Sequence, residues 1–268
     1  MTTDDIQRDL DALNTSSSDA NVPQSEDVQN DIFTASESIQ AELPTPEQQA
    51  QAIIDRFKVW AAPDFMNPYA VLDSETTDID GEIIELAIVK INGEVLFNER
   101  IRPVGKIQPS AQVVHGITDA DVADCQTLDY WWPQIRRLIC RHRILVYNRA
   151  FDFGCLDRSL TAVRPEYWKG ELGATDPYSA DYFVLELAQE KADCVMEAYA
   201  PLAGHWSAWH GSYSWAKLRD ACGQQGVDTN DLKAHNALAD AQATIRLIQA
   251  VAATSPAKYP WIGREGDA

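Results

Sequence analysis

The sequence predicts an α/β protein built on a mixed β-sheet. Two apolar runs, 83–91 and 95–101, flank Asn92-Gly93, a pair favoured in tight hairpin turns, so these strands should be antiparallel. A short apolar run at 144–147 is followed directly by a helical pattern, as in strand–helix units that form parallel sheets. A sheet that begins with hairpin strands and continues with strand–helix units is mixed and flanked by helices.

The other elements are predicted from local periodicity. The final helix has the clearest pattern, with small and apolar residues recurring at helical spacing. The region 165–212 has no clear pattern and is left unassigned. The predicted elements are a strand at 69–73, helices at 128–140, 151–160 and 213–221, and the final helix at 235–252.

Composition limits the function classes. The 268 residues carry a formal net charge of -19. Residues 1–50 contain eleven acids and one base (net -10), which leaves -9 for the other 218 residues. This balance excludes a generally basic nucleic-acid coat but allows a local basic groove. Five cysteines without a C-x-x-C pair disfavour a disulfide framework or a zinc site.

No apolar run is long enough to cross a membrane, and the acidic N-terminus does not resemble a signal peptide. We therefore expect a cytoplasmic protein with no membrane association. Residues 1–44 are predicted to be a disordered acidic tail, because they contain too little apolar surface to fold alone. The alternative is that the start of this tail forms a short helix on a protein partner.

Three further segments follow the tail. Residues 45–66 are predicted to be a helix and linker, because Thr45-Pro46 and Gln48 provide an N-cap, a first-turn proline and a capping box. Residues 67–255 form the main domain, and residues 256–268 are predicted to be a C-terminal tail.

Acidic residues interrupt the apolar runs at three places. Asp73 and Glu75 end the first strand on the same side, where they repel each other unless a cation lies between them. Asp152 begins a helix after a buried strand, and Asp240 lies on an alanine-rich helical face, five residues after His235. Taken singly, each also fits a solvated turn acid, a helix N-terminal acid or a surface histidine.

In this order the motifs resemble those of the DEDDh branch of the DnaQ-like 3′–5′ exonucleases, whose fold is ribonuclease H-like. The segment 73–77 resembles the family's Asp-x-Glu-Thr-Thr motif, and 148–152 resembles its second motif. The segment 235–241 matches His-x-Ala-x-x-Asp-Ala, and 115–118 reads His-Gly-Ile-Thr, as in relatives. The resemblance spans about 69–252, and exonuclease X and proofreading subunits are similar chains.

The resemblance implies a two-metal hydrolysis of terminal phosphodiester bonds, most of all in single-stranded DNA. It implies that two Mg²⁺ or Mn²⁺ ions are held by Asp73, Glu75, Asp152 and Asp240. His235 is then the general base, because an imidazole can accept and release a proton near neutral pH. The residues implied in substrate binding are Thr76, Thr77, His115, Asn148 and Arg149.

Two residues depart from the family pattern and affect substrate choice rather than the metal ligands. Asp78 replaces the usual glycine after the first motif, and Tyr147 replaces the histidine that often opens the second. The stretch 136–169 is rich in arginine, which fits either phosphate contacts or a solvated helical face. Trp131-Trp132 fits either base stacking or core packing.

Three alternatives stay open. An exoribonuclease would use the same fold and residues. A non-catalytic nucleic-acid-binding or partner-binding protein with a decayed nuclease domain is disfavoured by the intact five-residue set. A third hypothesis makes the acidic tail the main functional part, as a partner-binding or DNA-mimicking arm.

Overall fold

The computed structural model describes residues 43–62, 69–164 and 179–263, with side chains from residue 183 onward in the last range. The predicted tail 1–44 therefore lies almost entirely outside the described residues. The described elements, in chain order, are α1 Pro46–Ala61, β1 Tyr69–Thr76, β2 Ile83–Lys90, β3 Val95–Arg100, α2 Pro109–His115, α3 Asp119–Val122, α4 Leu128–Arg141, β4 Arg143–Val146, α5 Arg149–Val163, α6 Ser179–Lys191, β5 Asp193–Cys194, α7 Val195–Ala203, β6 Trp206–Ser207, β7 Ser212–Tyr213, α8 Leu218–Gln225, α9 Ala237–Ala252 and a 3₁₀ turn Pro256–Lys258.

The main sheet has the strand order β3-β2-β1-β4-β5 within the described chain. The pairs β1–β2 and β2–β3 are antiparallel, whereas β1–β4 and β4–β5 are parallel. Gly93 has a φ of 90° in the turn between β2 and β3, which explains why a glycine stands there. The predicted mixed sheet, with antiparallel hairpin strands followed by parallel strands, is confirmed.

Successive residues along each strand point to opposite faces of the sheet and pack into two separate hydrophobic cores. On one face Val71, Val89 and Leu145 pack with α1, α7 and α9. On the other face Leu72 and Val146 pack with α4, α5 and α6. Because β1 is central, its successive side chains enter opposite cores, and this alternation decides where its acids point.

Helix α1 is part of the first core. Thr45 forms the predicted capping box with Gln48, whose backbone N–H donates to Thr45 Oγ1 at 3.2 Å. Phe57 and Trp60 are buried against the domain. The predicted helix is therefore confirmed, and its apolar face contacts α9.

Two sequence predictions differ from the structure, and one open alternative is decided. Residues 213–221 do not form one helix: Tyr213 pairs with Trp206 in a small hairpin, and α8 starts only at Leu218. The last helix begins at Ala237 rather than His235, because Asn236 is its N-cap. Trp132 is buried in the second core, which favours the packing interpretation of that pair.

The predicted C-terminal tail contains ordered structure over its first part. Tyr259 and Ile262 are buried in the core that contains α1, and Gly263 lies against Pro46. The sequence pattern missed this because two isolated apolar residues carry no periodicity. In the described part of the chain, no helix is both long and apolar enough to cross a membrane.

Candidate active site

Strand β1 directs its two acids to one side of the sheet and the serine between them to the other. Asp73 and Glu75 lie on the face of Val71, toward α9, whereas Ser74 lies on the opposite face, toward α5. The hydroxyl of Ser74 donates to Oδ1 of Asp152 at 2.6 Å. Ser74 thereby connects the first motif to the second.

Asp152 lies in the first turn of α5. Asn148 is the N-cap of this helix, and its side-chain oxygen accepts from the N–H of Phe151 at 3.4 Å. Asp152 is 3% exposed, so its carboxylate is buried at the end of the sheet. The acids on β1 and α5 therefore meet although they come from different faces.

The third motif precedes and enters α9. Asp240 occupies the first turn of that helix, and His235 lies two residues before its first residue. His235 has a φ of 58°, and no other non-glycine residue of the described chain has positive φ. Its backbone N–H donates to Oδ2 of Asp240 at 3.2 Å. Such left-handed conformations are concentrated at functional sites, where surrounding contacts hold them.

The third motif meets the first. One ligand atom each from Glu75, His235 and Asp240 lies within 4.8 Å of the other two, a spacing that a single metal ion can bridge. Oxygen-rich sets of this kind suit hard divalent cations. Among the predicted ligands, the structure brings Asp73, Glu75, Asp152 and Asp240 to the wall of one cavity together with His235.

A buried acid that the sequence analysis missed supports the third motif. Glu85 on β2 is paired in register with Glu75 and is 5% exposed. Its Oε2 accepts from Nδ2 of Asn236 at 2.7 Å and from the N–H of Ala237 at 2.9 Å. The sequence signal for Glu85 was an acid within the apolar run that forms β2, because a carboxylate in a buried strand needs hydrogen-bond partners.

The clustered carboxylates have raised pKa values. Burial, together with repulsion by Asp240 and Glu85, raises the pKa of Glu75 to about 8. Burial also raises the pKa of Asp152 to about 7, against the hydrogen bond from Ser74. The pKa of Asp73 is held well above its usual range by burial and by Asp152, and burial raises the pKa of Asp240. Neighbouring carboxyl groups with raised pKa values are typical of a site for a divalent cation, because the cation would offset the repulsion between their ionised forms.

The cavity has a volume of about 410 Å³, with an acidic wall and an apolar wall. Ile79 and Val114 on the apolar wall are exposed, whereas the acids lie deeper. Its lining residues are Asp73, Ser74, Glu75, Thr76, Asp78, Ile79, Ser110, Ala111, Val114, His115, Tyr147, Asn148, Phe151, Asp152, Leu218, His235 and Asp240.

The two predicted threonines have different positions. Thr76 lines the cavity, and its hydroxyl donates to the carbonyl of Asp78 at 2.7 Å. Thr77 is not among the lining residues: its Oγ1 accepts from the N–H of Glu82 at 2.9 Å. Thr77 therefore closes the loop between β1 and β2 rather than facing the cavity.

His115 lines the cavity, but both of its ring nitrogens are in use. Nε2 lies 3.2 Å from the carbonyl of Thr76, and Nδ1 accepts from the N–H of Ile117 at 2.9 Å. Burial lowers the pKa of His115, which favours the neutral ring. The His115 ring thus connects the end of α2 to the end of β1, and it also forms part of the cavity lining.

Arg149 is not at this cavity. Its guanidinium donates to the carbonyl of Ala192 at 2.9 Å and lies 4.0 Å from Glu197. The side chain is directed toward the sheet edge at β5, since it stands at the start of α5 beside that strand. The prediction of Arg149 as a substrate contact receives no support from this position.

Comparison with known proteins identifies the family. A model of the exonuclease family RNase_T matches residues 70–248, which is well over half of the chain. The chain belongs to the RNase_T exonuclease family. The resemblance to DnaQ-like exonucleases is thereby confirmed.

Among relatives of this exonuclease-family chain is the uncharacterized exonuclease CP81 of Escherichia phage 186, which is 30% identical over 202 residues. These cover 75% of this chain and 94% of the relative. A solved structure of exonuclease X in complex with 5′ overhanging duplex DNA is similar with a TM-score of 0.43 and 20% identity, covering 72% of this chain and 98% of that one. The nuclease domain of 3′hExo, a DEDDh family member bound to rAMP, has a TM-score of 0.42 and 14% identity, covering 70% and 93%.

Proposed function

We propose that this protein is a metal-dependent 3′–5′ exonuclease that removes nucleotides from single-stranded DNA ends. The observation that carries the proposal is the meeting of Asp73, Glu75, Asp152, Asp240 and His235 at one cavity of about 410 Å³. Membership of the exonuclease family supports the class of reaction, and we expect that reaction to take place in this cavity.

The four carboxylates hold two Mg²⁺ or Mn²⁺ ions. Their raised pKa values and their oxygen-only donor set support this assignment. When bound, such a pair stabilises the attacking and leaving oxygens and the charge that builds on phosphorus. Ser74 orients Asp152 through its 2.6 Å hydrogen bond, so that this ligand is fixed before a metal arrives.

His235 acts as the general base. Its side chain is exposed at the cavity mouth, while its backbone is tied to Asp240. A ring held by its main chain alone can swing to a water molecule, take a proton and release it to solvent. The ring is also close enough to Glu75 and Asp240 to serve as a ligand, but magnesium prefers oxygen donors.

The apolar wall of the cavity receives the terminal nucleoside. Ile79 and Val114 offer exposed apolar surface to a base, and the main chain around Thr76 borders the place for the 3′-hydroxyl. The volume is at the small end of the roughly 300–1,000 Å³ typical of ligand sites, so it suits one nucleotide rather than a duplex.

The test uses oligonucleotides labelled at either end, as single-stranded DNA, duplex DNA and RNA, with Mg²⁺, Mn²⁺ or chelator. The 3′–5′ direction gives a ladder from the 5′ label and free mononucleotide at once from the 3′ label. Asp240→Asn is the inactive reference. Release of mononucleotide from the 5′ end would overturn the direction, and faster RNA degradation would make the enzyme an exoribonuclease.

A further inference from the structure

A second cavity adjoins the catalytic one. It has a volume of about 800 Å³, and Leu218, His235 and Asp240 line both cavities. The remaining wall is more polar and comes from the start of α8 and from the loop before α9. It contains Lys217, Arg219, Asp220, Thr229 and Asn230. A strand whose 3′ end occupies the first cavity can therefore continue into the second.

Unpaired cations border this second cavity. Lys217 and Arg219 are exposed, and neither has an ion pair or a side-chain hydrogen bond within the described residues. Lys233 is exposed between two lining residues, and its charge opposes the rise that burial causes in the pKa of Glu75. Asp220 and Asp240 are the acids among the lining residues. In a chain with a net charge of -19, this is a local concentration of available positive charge.

The segment that carries these residues is fixed to the catalytic cavity. The hydroxyl of Tyr147, a lining residue, donates to the carbonyl of Ala216 at 2.8 Å. Trp215, the preceding residue, is 65% exposed. An exposed indole on an anchored segment next to lysine and arginine is the combination that binds unpaired strands by stacking and charge.

We propose that Trp215, Lys217, Arg219 and Lys233 form a track for the unpaired strand on the 5′ side of the scissile phosphate. This inference rests on the proposed function. Arg149 has no place in this track, because it is directed toward Ala192.

The test compares Lys217→Ala/Arg219→Ala with Arg56→Ala/Arg137→Ala. The second pair removes two exposed arginines, one from α1 and one from α4, that form no ion pair with any other described residue. Two substrates separate the track from the chemistry: an oligothymidylate, and the p-nitrophenyl ester of thymidine 5′-monophosphate, which has no upstream nucleotides. We expect kcat/KM for the oligonucleotide to fall about tenfold or more in the track variant alone. The slope of log(kcat/KM) against log salt concentration should become shallower by about 1.4, because the variant loses two phosphate contacts at roughly 0.7 each. Trp215→Ala should lower kcat/KM for the oligonucleotide about tenfold.

Ester hydrolysis should stay at the wild-type rate in all these variants. Equal oligonucleotide kinetics in the track and control variants would overturn the inference, as would a parallel loss of ester hydrolysis. If the wild type hydrolyses neither substrate, the proposed function fails. The track is then judged by fluorescence anisotropy of a labelled oligonucleotide in chelator, where the track variant must bind at least tenfold more weakly than the control.

A different observation carries a second inference, which also rests on the proposed function. Glu85 accepts from Asn236, the N-cap of α9, at 2.7 Å and from Ala237, the first residue of α9, at 2.9 Å. Asn236 also caps α9 through its side-chain oxygen, which accepts from the N–H of Ala239 at 3.2 Å. Glu85 touches none of the reacting atoms, yet it fixes the segment that presents the base and the last acid.

We infer that Glu85 is a positioning residue for His235 and Asp240. The test exchanges the donor and the acceptor of the hydrogen bond between the side chains of Asn236 and Glu85. Asn236→Asp keeps the helix cap but loses the donor and sets a second carboxylate against Glu85. Glu85→Gln keeps an acceptor oxygen and adds a donor amide, so the double variant restores a hydrogen bond with its polarity reversed.

We expect kcat to fall by about 10²-fold in Asn236→Asp with KM nearly unchanged, and to recover at least tenfold in the double variant. Glu85→Gln alone should stay within a few-fold of wild type. Full activity of Asn236→Asp, or a double variant no better than Asn236→Asp, would overturn the inference. Calorimetric Mn²⁺ affinity gives the same comparison without turnover: it should weaken in Asn236→Asp and recover in the double variant.

Discussion

Glu75→Gln should stabilise the protein in chelator, and only at high pH. Burial and neighbouring acids raise the pKa of Glu75 from 4.5 to about 8. Between these values the folded chain binds a proton that the unfolded chain has released. The free energy of unfolding of the wild type therefore falls as pH rises through this window. Glutamine has the same shape but no ionisation, so the variant escapes that loss.

The magnitude follows from the shift of Glu75. A difference of about 3.5 units between 4.5 and 8, at about 1.4 kcal/mol per unit, gives a penalty on the order of 5 kcal/mol above pH 8. We expect the variant to exceed the wild type by up to this amount near pH 9 and to equal it near pH 4.5.

Urea denaturation across pH 4.5–9 in chelator measures the effect. The matched control is Glu85→Gln on the paired strand, because the Glu85 carboxylate is already bonded to Asn236 and Ala237. That variant should be neutral or about 1–3 kcal/mol less stable near pH 4.5. It should recover only a small part of this at high pH, because Glu85 contributes less than burial and Asp240 to the raised pKa of Glu75. A pH-independent gain for Glu75→Gln, or equal behaviour of the two variants, would refute the account. Saturating Mg²⁺ should stabilise the wild type more than Glu75→Gln, because the ion binds the folded carboxylates.

Three further predictions concern activity and packing. Asp240→Asn should lower kcat by more than the roughly 10–100-fold typical of losing a partner of a ligand, while circular dichroism stays unchanged. His235→Ala should lower kcat by about 10²–10⁴-fold and leave calorimetric Mn²⁺ affinity nearly unchanged, whereas loss of Mn²⁺ binding would make it a ligand. Phe57→Ala should cost about 3–5 kcal/mol in urea denaturation, since Phe57 is 0% exposed; a cost below 1 kcal/mol would show that α1 is not part of the core.

Local signals predicted much of this fold. The capping box at Thr45, the hairpin at Gly93 and the periodicity of α9 each depend on residues a few positions apart, and each is present in the structure. The convergence of the acids depends on long-range packing, which composition and periodicity do not contain. That convergence was predicted only from the resemblance of the ordered motifs to a known family.

The misses also have physical reasons. Glu85 has no motif of its own, and its role arises from contacts with Asn236, 151 positions away in the chain. Arg149 follows its motif neighbours in sequence, but at the start of α5 its long side chain reaches the sheet edge instead. The Trp206–Tyr213 hairpin consists of two short strands, too short for a period to be read.

The contact between α1 and α9 has a consequence for how the protein is made on the ribosome. The first helix of the domain leaves the exit tunnel early, but its partners, α9 and the 3₁₀ turn, are synthesised last. Until then Trp60 has no complete surface to pack on, so the first core cannot close during synthesis. Asp240 arrives with the same late segment. A chain terminated before α9 therefore lacks both a closed first core and Asp240.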